Sequence, residues 1–221
     1  MSQNYSGAGR PAGRPKASSG PSLRDTIMDM TILVLSEKGI LASTMAEISQ
    51  RAQITPATLY YHFSSREKLI EATLEQHLMP LVSYVWSAVR SSDGPLAMLE
   101  ELQRRMLEVA TAYTWYLPLW SRELASESGT LREYLTSKID EDLRAEFVEK
   151  TLQGQREGTL NPLLVPELLF SSIIGTVYIP LLSKKNWEKV HRTEISQERT
   201  LQHIQTLLTG GLINHQGKTD E

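Results

Sequence analysis

The chain has 221 residues, 40% of them hydrophobic, with a net charge of −3 at pH 7, which is enough apolar material for an ordinary folded core. It has no cysteine and five histidines, at 62, 77, 191, 203 and 215, so disulfides and thiolate metal sites are excluded, no histidine pair has metal-ligand spacing, and a reducing cytoplasm is the expected compartment. The charge is uneven: residues 1–70 carry eight Lys/Arg against five Asp/Glu, a balance of +3, and the remaining 15 against 21 give −6, as a small basic nucleic-acid module on an acidic body would.

Residues 1–21 are rich in Gly, Ser, Ala and Pro, carry no acid and are almost free of apolar side chains, so they are expected to form a flexible basic arm. No apolar run follows their basic residues, which argues against a signal peptide. Within the arm, "GRPAGRPK" sets Arg10 and Arg14 in Gly-Arg-Pro triplets next to Lys16. Such a segment could lie in an A·T-rich minor groove, or be only a solvated tail.

A helical pattern then begins at Ser22 and runs to about 38, with Leu23, Ile27, Met30, Val34 and Leu35 near the 3.6-residue period and Gly39 as its stop. Thr44-Met45-Ala46-Glu47 reads as a capping box that opens a short helix, about 44–51. After Ala52-Gln53-Ile54, Thr55 is a second N-cap and Pro56 takes the first helical position, where a missing N–H costs nothing. Two short helices joined by a three-residue turn form a helix-turn-helix, with Ile48, Ala52, Ile54, Leu59 and Phe63 as its core. The opposite side of the second helix presents Ala57, Thr58, Tyr61 and His62, with Tyr60 at the boundary: small residues that let bases approach, then donors that reach phosphates.

The stretch "GILASTMAEISQRAQITPATLYYHFSSREKLI", residues 39–70, resembles the DNA-binding signature of TetR-family transcriptional regulators. It matches at Gly39, Thr44, Ile48, Ala52, Thr55, Thr58, Leu59, Tyr60, Phe63, Ser65, Glu67 and Leu69. The chain departs from that signature at Gln53, where the family usually has a turn glycine, and at Arg66, where it often has lysine. The resemblance implies an all-α protein: a helix-turn-helix head over 22–66, a helical ligand-binding and dimerisation domain over 67–212, and a polar tail over 213–221. The DNA-contacting set expected is then Thr44, Thr55, Pro56, Ala57, Thr58, Tyr60, Tyr61, His62 and Arg66, with Arg10, Arg14 and Lys16 of the arm.

Downstream the pattern predicts helices near 65–91, 95–113, 118–127, 129–156, 165–184 and 196–209, with a polar break over 184–194. The apolar run 165–182 is long enough to suggest a membrane span, but Pro166, Glu167, Ser171, Ser172, Gly175 and Pro180 interrupt it, and no membrane partner is expected. The resemblance implies a homodimer through the last two helices. It also implies an apolar small-molecule effector, with Trp86, Met106, Tyr113, Trp115, Tyr116 and Trp120 as candidate cavity residues; the alternative for these is plain core. No cofactor is expected.

The function implied is a ligand-responsive repressor that binds a palindromic operator as a dimer. An architectural A·T-rich DNA-binding protein built on the arm is the alternative. An enzyme is a third possibility with little behind it, since the sequence has no Walker loop, no G-x-S-x-G and no metal cluster.

Overall fold

The computed structural model describes residues 22–124 and 129–212 and contains helices but no strand among them. Its N-terminal part is built from caps. Helix α1 (Leu23–Lys38) opens with a capping box, in which the Asp25 N–H donates to Ser22 Oγ at 3.2 Å and the Ser22 N–H donates to the Asp25 carboxylate at 3.1 Å. It stops at Gly39, whose φ of 85° is accessible to glycine at little cost. Thr44 and Glu47 form the same reciprocal box at the start of α2 (Met45–Arg51), and Thr55 Oγ1 accepts the Thr58 N–H at 3.1 Å to start α3 (Pro56–His62). Ser65 caps α4 (Arg66–Thr73) through the Lys68 N–H.

These helices close on a small core of Ile27, Met28, Val34, Met45, Ile48, Leu59, Phe63 and Leu69. The other side of α1, with Ile32 and Leu35, faces away from it. Together with Ile40, Ile70 and Leu74 it joins the larger core of the body.

The segment 65–91, expected as one helix, is divided. After α4 comes a π-turn (Leu74–Leu78), then α5 (Met79–Trp86) and the short α6 (Ala88–Ser91). Pro80 accounts for the π-turn, because it has no N–H for the Gln76 carbonyl and its ring crowds that position. The chain widens, and the Met79 N–H bonds to the Leu74 carbonyl, five residues back. At Ser87 the hydroxyl turns back onto the Tyr84 carbonyl at 2.8 Å, and the path bends into α6.

The body continues with α7 (Pro95–Ala112) and α8 (Tyr116–Leu124), which starts two residues earlier than the expected 118. The helix expected over 129–156 is two helices, α9 (Thr130–Lys138) and α10 (Glu141–Arg156). They are separated at Asp140, whose carboxylate accepts the Asp142 N–H at 3.0 Å and caps α10. Helix α11 (Pro166–His191) runs past Pro180 and through most of the polar stretch expected to break it. A Lys184–Glu188 pair at 3.8 Å supports its last turns, and Arg192, at φ 51°, ends it. Helix α12 (Gln197–Leu212) packs beside α11 and α7.

Gln53, in the turn between α2 and α3, is held at φ 55°. Left-handed geometry costs a side-chain-bearing residue roughly 1–2 kcal/mol, of which glycine's extra unfolded-state freedom returns part. Gln53→Gly is therefore expected to stabilise the protein by about 0.5–1 kcal/mol, read from denaturant midpoints, with the helical content unchanged.

Candidate DNA interface and effector cavity

Helix α3 separates its two faces sharply. Leu59 and the C-cap Phe63 are buried in the head core, whereas Tyr61 is 85% exposed and Tyr60, Pro56 and Ala57 also face solvent. Thr58 is half-buried, its hydroxyl 2.9 Å from that of Thr55. His62 is half-buried as well, with its ring edge-on to Tyr61 at 5.3 Å. Thr44 and Thr55 are exposed at two neighbouring helix starts, where free N–H groups and the helix dipole favour a phosphate.

Arg66, expected on a phosphate, has other partners. Its Nε donates to the Ser43 carbonyl at 2.7 Å and its terminal nitrogen to the Ile40 carbonyl, so it ties the α1–α2 loop to the start of α4. The positive balance of the head is reduced in the same way, since Lys38, Arg51 and Lys68 pair with Glu47, Glu37 and Glu71. Arg24, which the sequence did not single out, does lie at the recognition helix. Its guanidinium stacks over the Phe63 ring at 4.1 Å and donates to the His62 carbonyl at 2.9 Å. Nothing in the local pattern marks it; only the meeting of α1's start with α3's end does. Arg10, Arg14 and Lys16 lie outside the described residues.

In the body, the aromatic concentration closes around a cavity of about 40 Å³ between α5, α7, α8, α9 and α11. Trp86, Met106, Tyr116 and Trp120 line it. Tyr113 and Trp115 do not: the turn between α7 and α8 leaves them beside the π-turn, with Tyr113 exposed and Trp115 edge-on to His77 at 6.5 Å. Tyr178 of α11, absent from the expected set, completes the wall, and its hydroxyl meets that of Tyr116 at 2.9 Å. Burial pushes the Tyr116 hydroxyl up to about 12 and raises Tyr178 well above the usual range, so both keep their protons. Among the described residues no cluster of His, Asp or Glu is placed to hold a metal ion.

The cavity and the head are physically joined through α8. Two residues beyond Trp120, the Arg122 Nε donates to the Ser36 carbonyl at the end of α1, at 2.9 Å. The adjoining carboxylate of Glu123, itself buried, accepts the Ile40 N–H at 3.0 Å and the Leu131 N–H at 3.4 Å.

Residues 27–73 match the model of the tetR family of bacterial regulatory proteins. A transcriptional repressor, KstR2 of Mycolicibacterium smegmatis, is 23% identical over 196 residues, covering 89% of this chain and 93% of the relative. The solved structure of KstR2 from Mycobacterium tuberculosis superposes with a TM-score of 0.63 at 22% identity, over 89% of this chain and 98% of that one. AibR, solved in complex with isovaleryl coenzyme A and operator DNA, gives 0.65 at 17% identity, over 86% and 100%. The fold is shared with these two solved structures over 86–89% of this chain.

The two faces of α3 make separable predictions. Tyr61→Ala is expected to weaken operator binding by about 1–3 kcal/mol with the melting temperature nearly unchanged. Phe63→Ala is expected to destabilise the protein by about 3–5 kcal/mol through loss of core packing. Binding isotherms and melting curves on both variants check the pair.

Proposed function

We propose that the chain is a regulator of the TetR family, a repressor that binds a palindromic operator as a homodimer and releases it when an apolar effector binds. The observation that carries the reading is a capped, proline-led recognition helix that offers Tyr60 and Tyr61 to solvent from a rigid helix-turn-helix. A single head of this kind reads too few base pairs for specificity, whereas two on a two-fold axis read a palindrome.

The surface for such a dimer is on α11. Leu168, Ile179 and Val190 are exposed at eleven-residue spacing, which returns to one helix face within about 20° at each step. Between them, Ser172 is exposed and Gly175 opens onto free space, so a partner helix could approach closely. By length and composition α11 could also cross a membrane. Its opposite side, however, buries Leu169, Ile173, Val177 and Tyr178 in the body core, and a two-sided helix of this kind suits pairing between copies in the cytoplasm. Coupling is assigned to α8, which carries cavity residues on one turn and grips α1 with the next. Ligand binding and DNA binding would then oppose each other by about 1–3 kcal/mol, equally in both directions. No catalytic role is assigned to any residue.

Selection of genomic fragments by the purified protein tests the reading. Discrete palindromic sites with half-sites about one turn apart, roughly 34–36 Å, are expected; diffuse A·T-rich binding would instead favour an architectural protein. Ile179→Glu is expected to convert the dimer to monomer in sedimentation and to weaken operator binding, with the monomer still folded. Deleting residues 1–18 removes Arg10, Arg14 and Lys16 from each protomer. The slope of log affinity against log salt is expected to become shallower, by up to ~5 units if all six charges of a dimer touch phosphate.

A further inference from the structure

The polar groups of the central cavity are unbalanced. Tyr116 and Tyr178 share one hydrogen bond of 2.9 Å, which uses one of their two hydroxyl protons. The Trp120 Nε1 is buried without a well-formed hydrogen bond; it approaches the Tyr116 hydroxyl, which feels it as a weak donor. These side chains hold three donors, and indole can only donate. Even if Trp120 turned onto one of the hydroxyls, at least one O–H would still end the chain without an acceptor. Both phenols stay protonated because burial disfavours their anions. Apart from the indole N–H of Trp86, which can only donate, the rest of the wall is hydrocarbon, aromatic ring or thioether, including Val82, Met106, Leu135 and Ile174, and no cation lines it.

We infer that the cavity takes an apolar ligand bearing a carbonyl oxygen, seated against Trp120 Nε1 and the unspent hydroxyl proton of the Tyr116–Tyr178 pair. This rests on the effector reading above and narrows its chemistry. A carbonyl supplies lone pairs and no new donor, whereas an alcohol would bring another proton that needs an acceptor. A carboxylate would bury a charge with no cation to meet it. At about 40 Å³ the cavity has room for little more than one water, so the ligand must push the aromatic walls apart and replace hydration at the donors.

The test compares 2-nonanone with nonane by calorimetric titration of the full chain, on the unaltered protein and on Trp120→Phe and Tyr178→Phe. In the unaltered protein the ketone is expected to bind about 5- to 10-fold more tightly than the hydrocarbon, with the advantage reduced to about 2-fold or less in one or both variants. Because nonane meets only the walls, its affinity serves as an internal control for a variant whose cavity has merely changed shape. Equal affinities in the unaltered protein, a ketone advantage that survives both substitutions, or no binding of either probe by protein that still binds its operator would each overturn the inference. Operator release is measured beside binding. Release by both probes alike would leave the effector reading standing and remove the carbonyl preference; preferential ketone binding without release would do the reverse.

Discussion

Helix α1 is buried on two sides, and the relation between the DNA-contacting head and the body follows from that. Ile27, Met28 and Val34 belong to the head core, while Ile32 and Leu35 belong to the body. Each such side chain contributes about 1.5–3 kcal/mol on burial. The apolar faces therefore outweigh any one polar tie across the junction, where a hydrogen bond to a charged group is worth roughly 1.5–3 kcal/mol. Packing decides that the two parts adhere. The Glu123 and Arg122 bonds, which are directional, decide in what register, since both end on backbone groups between Ser36 and Ile40.

The same junction gives the cavity its leverage. Ligand sites for small molecules usually enclose several hundred cubic ångströms, far more than the present space, so an occupied state must differ in the positions of its walls. Two of those walls, Tyr116 and Trp120, sit on the helix whose next residues hold the end of α1. A close-packed interior transmits such a displacement and does not absorb it. The head is thus exposed to events in the cavity through a path of bonded and packed groups that runs along α8 to the end of α1.

Much of the head was legible because its elements are specified locally. The Thr44–Glu47 box, the Thr55-Pro56 start and the Gly39 stop each act within four residues, and the structure uses them as the pattern predicts. What the sequence concealed depends on distant partners. Arg66 reads as a surface cation until the carbonyls of Ile40 and Ser43 are seen around it, and Arg24 reads as a helix-start residue until Phe63 lies beneath it. In the body, periodicity found the helices but not their joints. Asp140 breaks a pattern that propensity alone would continue, and the polar stretch from 184 fails to end α11, which runs on to His191. The sequence did not single out Tyr178 at all, because its polar role depends on Tyr116, 62 residues away.

The π-turn before Pro80 also sets the phase of the helices that follow it. Ile70, Leu74, Leu78, Val82 and Trp86 are all buried, yet at four-residue spacing an uninterrupted α-helix would carry them progressively around its axis, about 160° from first to last. One extra residue in the turn sets the sequence back by about 100°, which returns Leu78 and Val82 to within some 20° of Ile70 and Trp86 to within about 60°. A stripe that would have spiralled off toward solvent instead runs straight from the head to the centre of the body. The widened turn therefore works as a phase correction, letting a single length of chain keep one face on the core of the body.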